Sequence, residues 1–384
     1  MTRYLTSRLF QVLITFLLFQ TLVFFLLHAQ PGDITDQYLS NPNIPAEARE
    51  VLRRQLGLDK PLPIQYLNYL KNFWTGDMGV SWTRYPRPVV DIIMETLPRT
   101  LVLFLSATAV SFSVGFLLGR ILAWQRGAVI EYPVTILSVF LWTVFYPWFA
   151  LVLIWIFAFK LGIFPIGKFI TVRAWRERGY PFEANIVFNQ MMLVTSILLV
   201  ALAILFLATQ KLAPYERRRI RIPGTLLLLG AFVGYWVASP MGFFAADIAW
   251  HMMLPIITLT LVAFAGTMLL TRNSMLETLR EDYILTARAK GLPEKVIRDK
   301  HAARNALLPV VTSLIYSLAA TISGGVITET YFSWPGMGLT LLEAATRSDI
   351  PLAIGALTFT GVLALLAHLF ADVAYAFLDP RIRY

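Results

Sequence analysis

The sequence predicts an all-α protein that crosses a membrane several times. Three observations support this prediction: a high hydrophobic content, a low charge content and repeated apolar segments of spanning length. Of the 384 residues, 57% are hydrophobic and 15% are charged, and the mean hydropathy is +0.64. Because an ordinary soluble domain has about 25% charged residues, we expect most of the surface of this chain to face lipid.

A helix that spans a bilayer needs about 20 mostly apolar residues. About eight segments qualify, although the fifth is short: 9–28, 99–123, 133–161, 191–209, 224–239, 250–271, 308–328 and 352–378. The first follows Arg3 and Arg8, as the apolar region of a signal peptide would. It is longer than such regions and lacks a good cleavage site, so we expect it to remain as the first transmembrane helix.

Basic residues lie in short clusters between the apolar segments. We therefore interpret the net charge of +10 as a topology signal and expect lipid, not nucleic acid, to be its partner. With both termini in the cytoplasm, the clusters at 217–221 and 272–307 obey the positive-inside rule. The loop 162–190 is then external and conflicts with the rule through four basic residues: Lys168, Arg173, Arg176 and Arg178.

The polar segment 272–307 predicts two helices joined by a sharp corner, which we call the elbow. Gly291 suits a left-handed helix stop, and Pro293 suits the start of a second helix. Four apolar residues recur at helical spacing: Leu285, Ala289, Leu292 and Val296. Such an elbow could dock into a groove on a soluble partner or lie as a solvated loop on anionic lipid, and periodicity favours neither.

Motifs along nearly the whole chain resemble one family. The elbow is similar to the coupling-loop signature of the oligopeptide/dipeptide/nickel class of ABC importer permeases, with Thr286-Ala287-Arg288-Ala289-Lys290-Gly291 and Arg304-Asn305-Ala306-Leu307 at its centre. Other matching motifs follow in order: Arg8-Leu9-Phe10, Pro31-Gly32-Asp33, Leu56-Gly57-Leu58-Asp59-Lys60-Pro61, Gly76-Asp77-Met78-Gly79-Val80-Ser81, Leu97-Pro98-Arg99-Thr100, Phe332-Ser333-Trp334-Pro335-Gly336-Met337-Gly338 and Asp379-Pro380-Arg381. Together they resemble the B-type subunit of the permease pair.

The resemblance implies a subunit that forms half of a translocation pathway. It implies a second permease subunit of similar fold, two ABC ATPase subunits that carry ATP and Mg, and an extracytoplasmic substrate-binding protein. It implies no catalytic residue, cofactor or metal on this chain, which also lacks a Gly-x-x-x-x-Gly-Lys-Ser/Thr phosphate loop. The residues that it implies for ATPase coupling are Tyr283, Thr286, Ala287, Arg288, Ala289, Lys290, Gly291, Leu292 and Val296.

The chain departs from that family pattern in two ways. Where other importer permeases have a Glu-Ala-Ala triplet, this chain has Leu285-Thr286-Ala287, so the contact of that carboxylate is not carried over. Similar permeases usually have six spans, and this chain adds a hairpin of two. The expected parts are a first helix (1–28), an extracytoplasmic cap (29–97), a transmembrane core (98–164), an inserted hairpin (165–248) and the remaining core with the elbow (249–384).

The resemblance implies a substrate among peptides, oligosaccharides and nickel, with peptides favoured. An ion-coupled secondary transporter would predict buried ionisable residues or interrupted helices at mid-membrane depth, and an intramembrane enzyme would need a nucleophile and base or a metal set. Neither alternative accounts for the elbow.

Several single residues admit two interpretations. Gly115 and Gly119 permit close helix packing, more often within a subunit than between subunits. A second group could line a pore or simply pack: Ser323, Gly324 and Gly325. Ionisable residues near span ends are better explained by interfacial placement than by a proton relay: Asp247, His251, His368 and Asp372.

Overall fold

The computed structural model describes residues 2–28, 60–125, 127–321 and 325–378. Within these ranges the chain forms helices and connections and no strand beyond an isolated bridge between Val80 and Pro88, which confirms the all-α prediction. Much of the predicted cap, residues 29–59, lies outside the described residues.

We number the helices in chain order. They are α1 (Thr2–His28), α2 (Leu62–Thr75), α3 (Val89–Trp124), α4 (Glu131–Thr143), α5 (Tyr146–Lys160), α6 (Val172–Glu177), α7 (Ala184–Ala208), α8 (Pro214–Ala238), α9 (Gly242–Thr278), α10 (Asp282–Ala289), α11 (Glu294–Thr321), α12 (Val326–Tyr331), α13 (Met337–Thr346) and α14 (Ile350–Leu378).

Seven of the described helices are long and apolar enough to cross a membrane, and there are eight candidates if α4 and α5 together form one span. The prediction of about eight spans is thus confirmed, but the third one is not straight. It bends by 107° between α4 and α5. Val144 is extended (φ −62°, ψ 141°) and ends α4, and Pro147 lies in the first turn of α5, where its ring and missing N–H prevent α4 from continuing.

Three helices continue well beyond the segments predicted from hydropathy. α3 has 36 residues and α9 has 37, which correspond to about 55 Å each, against a hydrocarbon core of about 30 Å. α11 begins at Glu294, about 14 residues before the predicted span. The polar segment 272–307 is therefore largely made of the ends of α9 and α11, with α10 between them.

The chain separates into two compact units. The first comprises Met1–Ala150 and Ile256–Tyr384, and the second comprises Leu151–Pro255. The predicted inserted hairpin, 165–248, falls within the second unit.

In the first unit, α3 and the part of α9 after residue 255 come into close contact at two glycines. A Cβ atom on Gly115 would lie 2.5 Å from the Phe264 carbonyl oxygen, and one on Gly119 would lie 2.5 Å from the Met268 carbonyl oxygen. Only glycine allows the two backbones to approach this closely. The prediction that this pair serves packing within the subunit is confirmed.

The second unit contains the short helix α6 and the helical pair α7 and α8. The side chain of Trp175 on α6 is fully buried and donates a hydrogen bond from Nε1 to Asp247 Oδ2 at 2.8 Å. Asp247 also accepts hydrogen bonds from the amide (2.8 Å) and hydroxyl (2.7 Å) of Thr171. These contacts give Asp247 a structural role.

Candidate functional site

The elbow consists of α10, a tight corner and the first turns of α11. α10 ends in a Schellman motif: the Gly291 amide donates to the Arg288 carbonyl (2.9 Å), and the Leu292 amide donates to the Ala287 carbonyl (3.3 Å). Gly291 has φ +71°, the left-handed conformation that this motif requires of its C′ residue. The predicted helix stop at Gly291 is confirmed.

One face of the elbow is fixed to the first unit by a small apolar core. Ile284 of α10 and Ile297 of α11 are both fully buried. They pack in a cluster whose other buried members are Ala123, Met275, Ala287, Ala302, Ala303 and Ala306. Because the cluster joins α10 and α11 to the C-terminal ends of α3 and α9, the elbow is held in a defined position.

The opposite face carries apolar residues that nothing in the described part of the chain covers. Leu285 is 57% exposed and Leu292 is 36% exposed, and Ala289 lies between them on the exposed side. Of the nine residues predicted for coupling, seven are exposed: Tyr283, Thr286, Arg288, Ala289, Lys290, Gly291 and Leu292. Val296 is half-buried, and Ala287 faces the internal core, so Ala287 is not available on the elbow surface.

Polar contacts hold the corner and its base. Arg288 and Glu294 form an ion pair across the corner (Nε to Oε1, 3.1 Å). On α11, Asp299 pairs with Arg298 (2.6 Å) and lies 3.7 Å from Arg120 of α3. Asn305 Nδ2 donates a hydrogen bond to the Tyr283 hydroxyl at 2.7 Å, which ties α10 to α11.

A second polar cluster lies between α11 and α14, where the connecting segment packs on α3. The carboxylate of Glu329 is fully buried and accepts hydrogen bonds from the Thr100 hydroxyl (2.7 Å) and the Leu339 amide (2.8 Å). Burial raises the pKa of the Glu329 carboxyl, and the hydrogen bond from Thr100 opposes this rise. The Trp334 indole donates to the Arg99 carbonyl oxygen (3.1 Å).

Asp349, just before α14, organises a third polar cluster. Its Oδ2 accepts hydrogen bonds from the hydroxyl (2.7 Å) and the amide (2.9 Å) of Thr83 and from the hydroxyl of Ser81 (2.5 Å). Burial acts to raise the pKa of this carboxyl, but the hydrogen bonds from Ser81 and Thr83 outweigh it, and the resulting pKa lies below the ordinary value.

Comparison with known proteins identifies the protein family. The family model described as "Binding-protein-dependent transport system inner membrane component" matches residues 115–384, and the model of the corresponding N-terminal region matches residues 1–104. The chain belongs to this family of inner membrane transport components. It is therefore a multi-pass permease of the inner membrane.

Curated relatives of this permease match along almost their whole length. It is 30% identical to the dipeptide transport system permease protein DppB of Escherichia coli strain K12, with 100% of this chain and 99% of the relative covered. The di/tripeptide transport system permease protein DppB of Pseudomonas aeruginosa gives the same identity and coverage. The oligopeptide transport system permease protein AppB of Bacillus subtilis is 30% identical, with 94% and 92% covered.

Of the three residues predicted to line a pore or to pack, only Gly325 lies within the described ranges. Ser323 and Gly324 are not among the described residues. At Gly325, a Cβ atom would lie 2.4 Å from the Phe104 ring of α3. For Gly325, the packing interpretation is therefore supported.

Sequence reasoning missed the roles of Glu329 and Asp349. Both motifs that meet at Glu329 had been singled out, Leu97-Pro98-Arg99-Thr100 and Phe332-Ser333-Trp334-Pro335-Gly336-Met337-Gly338. The available signal was a lone carboxylate three residues before the second motif. For Asp349, the sequence offers only an acidic residue at a helix start.

Proposed function

We propose that this permease forms half of the translocation pathway of an ATP-driven peptide importer. It works with a second permease subunit of similar fold, two ABC ATPase subunits that bind ATP and Mg, and an extracytoplasmic substrate-binding protein. The choice of peptides is supported by relatives named for oligopeptide, dipeptide and di/tripeptide transport.

The exposed stripe on the elbow is the observation that carries the proposal. Ile284 and Ile297 of the elbow are buried in an apolar core, whereas Leu285 and Leu292 are exposed. A rigid helical corner with an apolar stripe is suited to a groove on a soluble protein. We assign that groove to an ATPase subunit and the stripe to the contact.

ATP hydrolysis is assigned to the partner subunits. The nearest approach to a phosphate loop in this chain is Gly162 followed by Gly167 and Lys168, but Phe169 stands where a Ser or Thr hydroxyl would hold Mg²⁺. The side chain of Phe169 is buried, so it does not line a nucleotide site.

We further propose that both termini and the elbow lie in the cytoplasm. The support is electrostatic, since the elbow and the 217–221 cluster are the strongly basic connections and the positive-inside rule places such connections in the cytoplasm. The turn between α10 and α11 then faces the compartment that contains ATP.

Substitution of Gly291 tests the coupling assignment. A Cβ atom at Gly291 would meet nothing within 4 Å, so the fold of this subunit has room for a side chain. The left-handed backbone adds a cost of about 1 kcal/mol. We expect Gly291→Arg to insert in the membrane normally, to lose copurifying ATPase and to abolish peptide uptake.

Gly76 provides a matched control. It ends α2 with φ +78°, and it too has open space around its Cβ position. Gly76→Arg therefore carries the same backbone cost away from the elbow and should retain the ATPase. Leu285→Glu should reproduce the loss of ATPase without any backbone cost. Normal ATPase retention and uptake in both elbow variants would refute the proposal.

A further inference from the structure

The second unit contains an apolar groove between α7, α8 and the start of α9. Its volume is about 640 Å³. Its lining has two hydroxyl side chains, Thr195 and Ser239; the remaining, mainly apolar lining includes Met191, Phe232, Val233, Trp236, Phe243 and Ala246. The groove lies beside the α8–α9 turn, which the proposed orientation places at the outer leaflet.

A cation is held at one wall of this groove. The guanidinium carbon of Arg178 lies 3.5 Å from the centre of the Phe243 ring, and Phe243 lines the groove. Arg178 directly follows α6, which is anchored by the buried Trp175 and its bond to Asp247. The ring contact leaves the N–H groups of the guanidinium free to donate, and within the described ranges no hydrogen bond or ion pair involves the Arg178 side chain.

The loop that carries Arg178 is the one that conflicts with the positive-inside rule. In this loop Arg173 is paired with Glu177 (2.9 Å) and is 90% exposed, whereas Arg178 is directed to the groove wall. The positive-inside rule does not explain a basic residue on the outer side of the membrane. A local binding role would explain why Arg178 is present there.

From the groove and its adjacent cation we infer a site for an anionic phospholipid of the outer leaflet, with one acyl chain in the groove and the phosphate on Arg178. The inference rests on the proposed orientation only for the choice of leaflet. An acyl chain suits the lining because Thr195 and Ser239 offer too few polar partners for a peptide or a sugar. The guanidinium fork suits a phosphate because it can donate two parallel hydrogen bonds.

The test measures lipid binding to the purified full-length chain, together with any subunits that copurify, by native mass spectrometry. The probes are dioleoyl phosphatidylglycerol and dioleoyl phosphatidylcholine, which share acyl chains and differ in charge. We expect wild type to bind phosphatidylglycerol more tightly. Arg178→Gln should weaken phosphatidylglycerol binding about tenfold, while Arg173→Gln, which removes the same charge from the same loop, should leave it unchanged.

A groove variant separates the chain contact from the charge contact. Ala246 is exposed to the groove, so Ala246→Trp should fill it and abolish binding of both lipids with Arg178 intact. The inference would be overturned if Arg178→Gln and Arg173→Gln weakened phosphatidylglycerol binding equally. It would also be overturned if Ala246→Trp bound lipid as tightly as wild type. If Ala246→Trp fails to insert in the membrane, the comparison of Arg178→Gln with Arg173→Gln still tests the inference. A photo-crosslinker at position 191 that captures a protein helix in place of lipid would also overturn the inference.

These measurements require neither transport nor ATPase docking. Failure of the lipid site would therefore leave the proposed importer function untouched, and failure of the importer function would leave the lipid result standing.

Discussion

Thr100 donates its hydroxyl hydrogen to the buried carboxylate of Glu329 at 2.7 Å, across 229 residues of sequence. The same hydroxyl oxygen accepts the Met337 amide at 2.7 Å. Glu329 and Thr100 together thus tie the segment between α11 and α14 to α3. Two motifs far apart in the sequence have one physical task, which is to hold this connecting segment in place.

We predict that Glu329→Gln lowers the stability of the permease. The carboxylate accepts from several donors, whereas an amide must turn its NH₂ group toward one of them, at a cost of about 1–3 kcal/mol. The measurement is the thermal unfolding midpoint of the purified protein in detergent. Glu177→Gln is the control, because that carboxylate is 64% exposed in a surface ion pair and contributes little. Equal shifts in both variants would contradict the assignment.

The pH dependence of stability should report on Asp349. Its pKa in the folded protein lies below the ordinary value, so the stabilisation is present above the unfolded-state pKa and is lost as the pH falls through the folded-state pKa. We expect the unfolding midpoint of wild type to fall on acidification below about pH 4. Asp349→Asn should be less stable at neutral pH and should lose less on acidification. Parallel curves for the two proteins would show that Asp349 is not the group responsible.

The orientation can be measured with single cysteines, because the chain contains none. Tyr85 is 70% exposed in the connection before α3, and Arg173 is exposed on α6. Cysteines at these two positions should react with an impermeant thiol reagent added to intact cells. Cysteines at Val129, which is 90% exposed, and at Tyr215, which is 75% exposed, should react only after permeabilisation. The reverse pattern would invert the topology and place the elbow outside.

Hydropathy predicted where helices cross the membrane but not where they end. It marks the residues that face lipid, while the backbone hydrogen bonds of α3, α9 and α11 continue into water, where polar side chains are tolerated. It also missed the bend between α4 and α5, because the apolar character of the sequence runs through Val144 and Phe145 without interruption. Pro147 was a visible signal. However, other prolines lie inside continuous helices, namely Pro98, Pro255 and Pro309. A proline alone therefore does not predict where a helix breaks.

The elbow was more predictable than its surroundings because its key feature is local. A left-handed helix stop favours glycine because any other residue carries a backbone cost of about 1 kcal/mol there, so Gly291 could be identified from its neighbours alone. The two apolar faces of α10 could not be told apart in this way. One face, with Ile284 and Ala287, is buried, and the other, with Leu285 and Ala289, is exposed. Which face is buried depends on the positions of α3, α9 and α11.

The continuity of α11 has a mechanical consequence. The helix runs from Glu294 at the elbow to Thr321 over 28 residues, with a π-helical stretch at Ile297–Ala302, and is roughly 42 Å long. A rod of this length magnifies rotation: tilting its base by about 10° displaces its far end by roughly 7 Å, more than the width of an extended backbone. A small push at the corner would thus become a displacement large enough to open or close a passage on the opposite side of the bilayer.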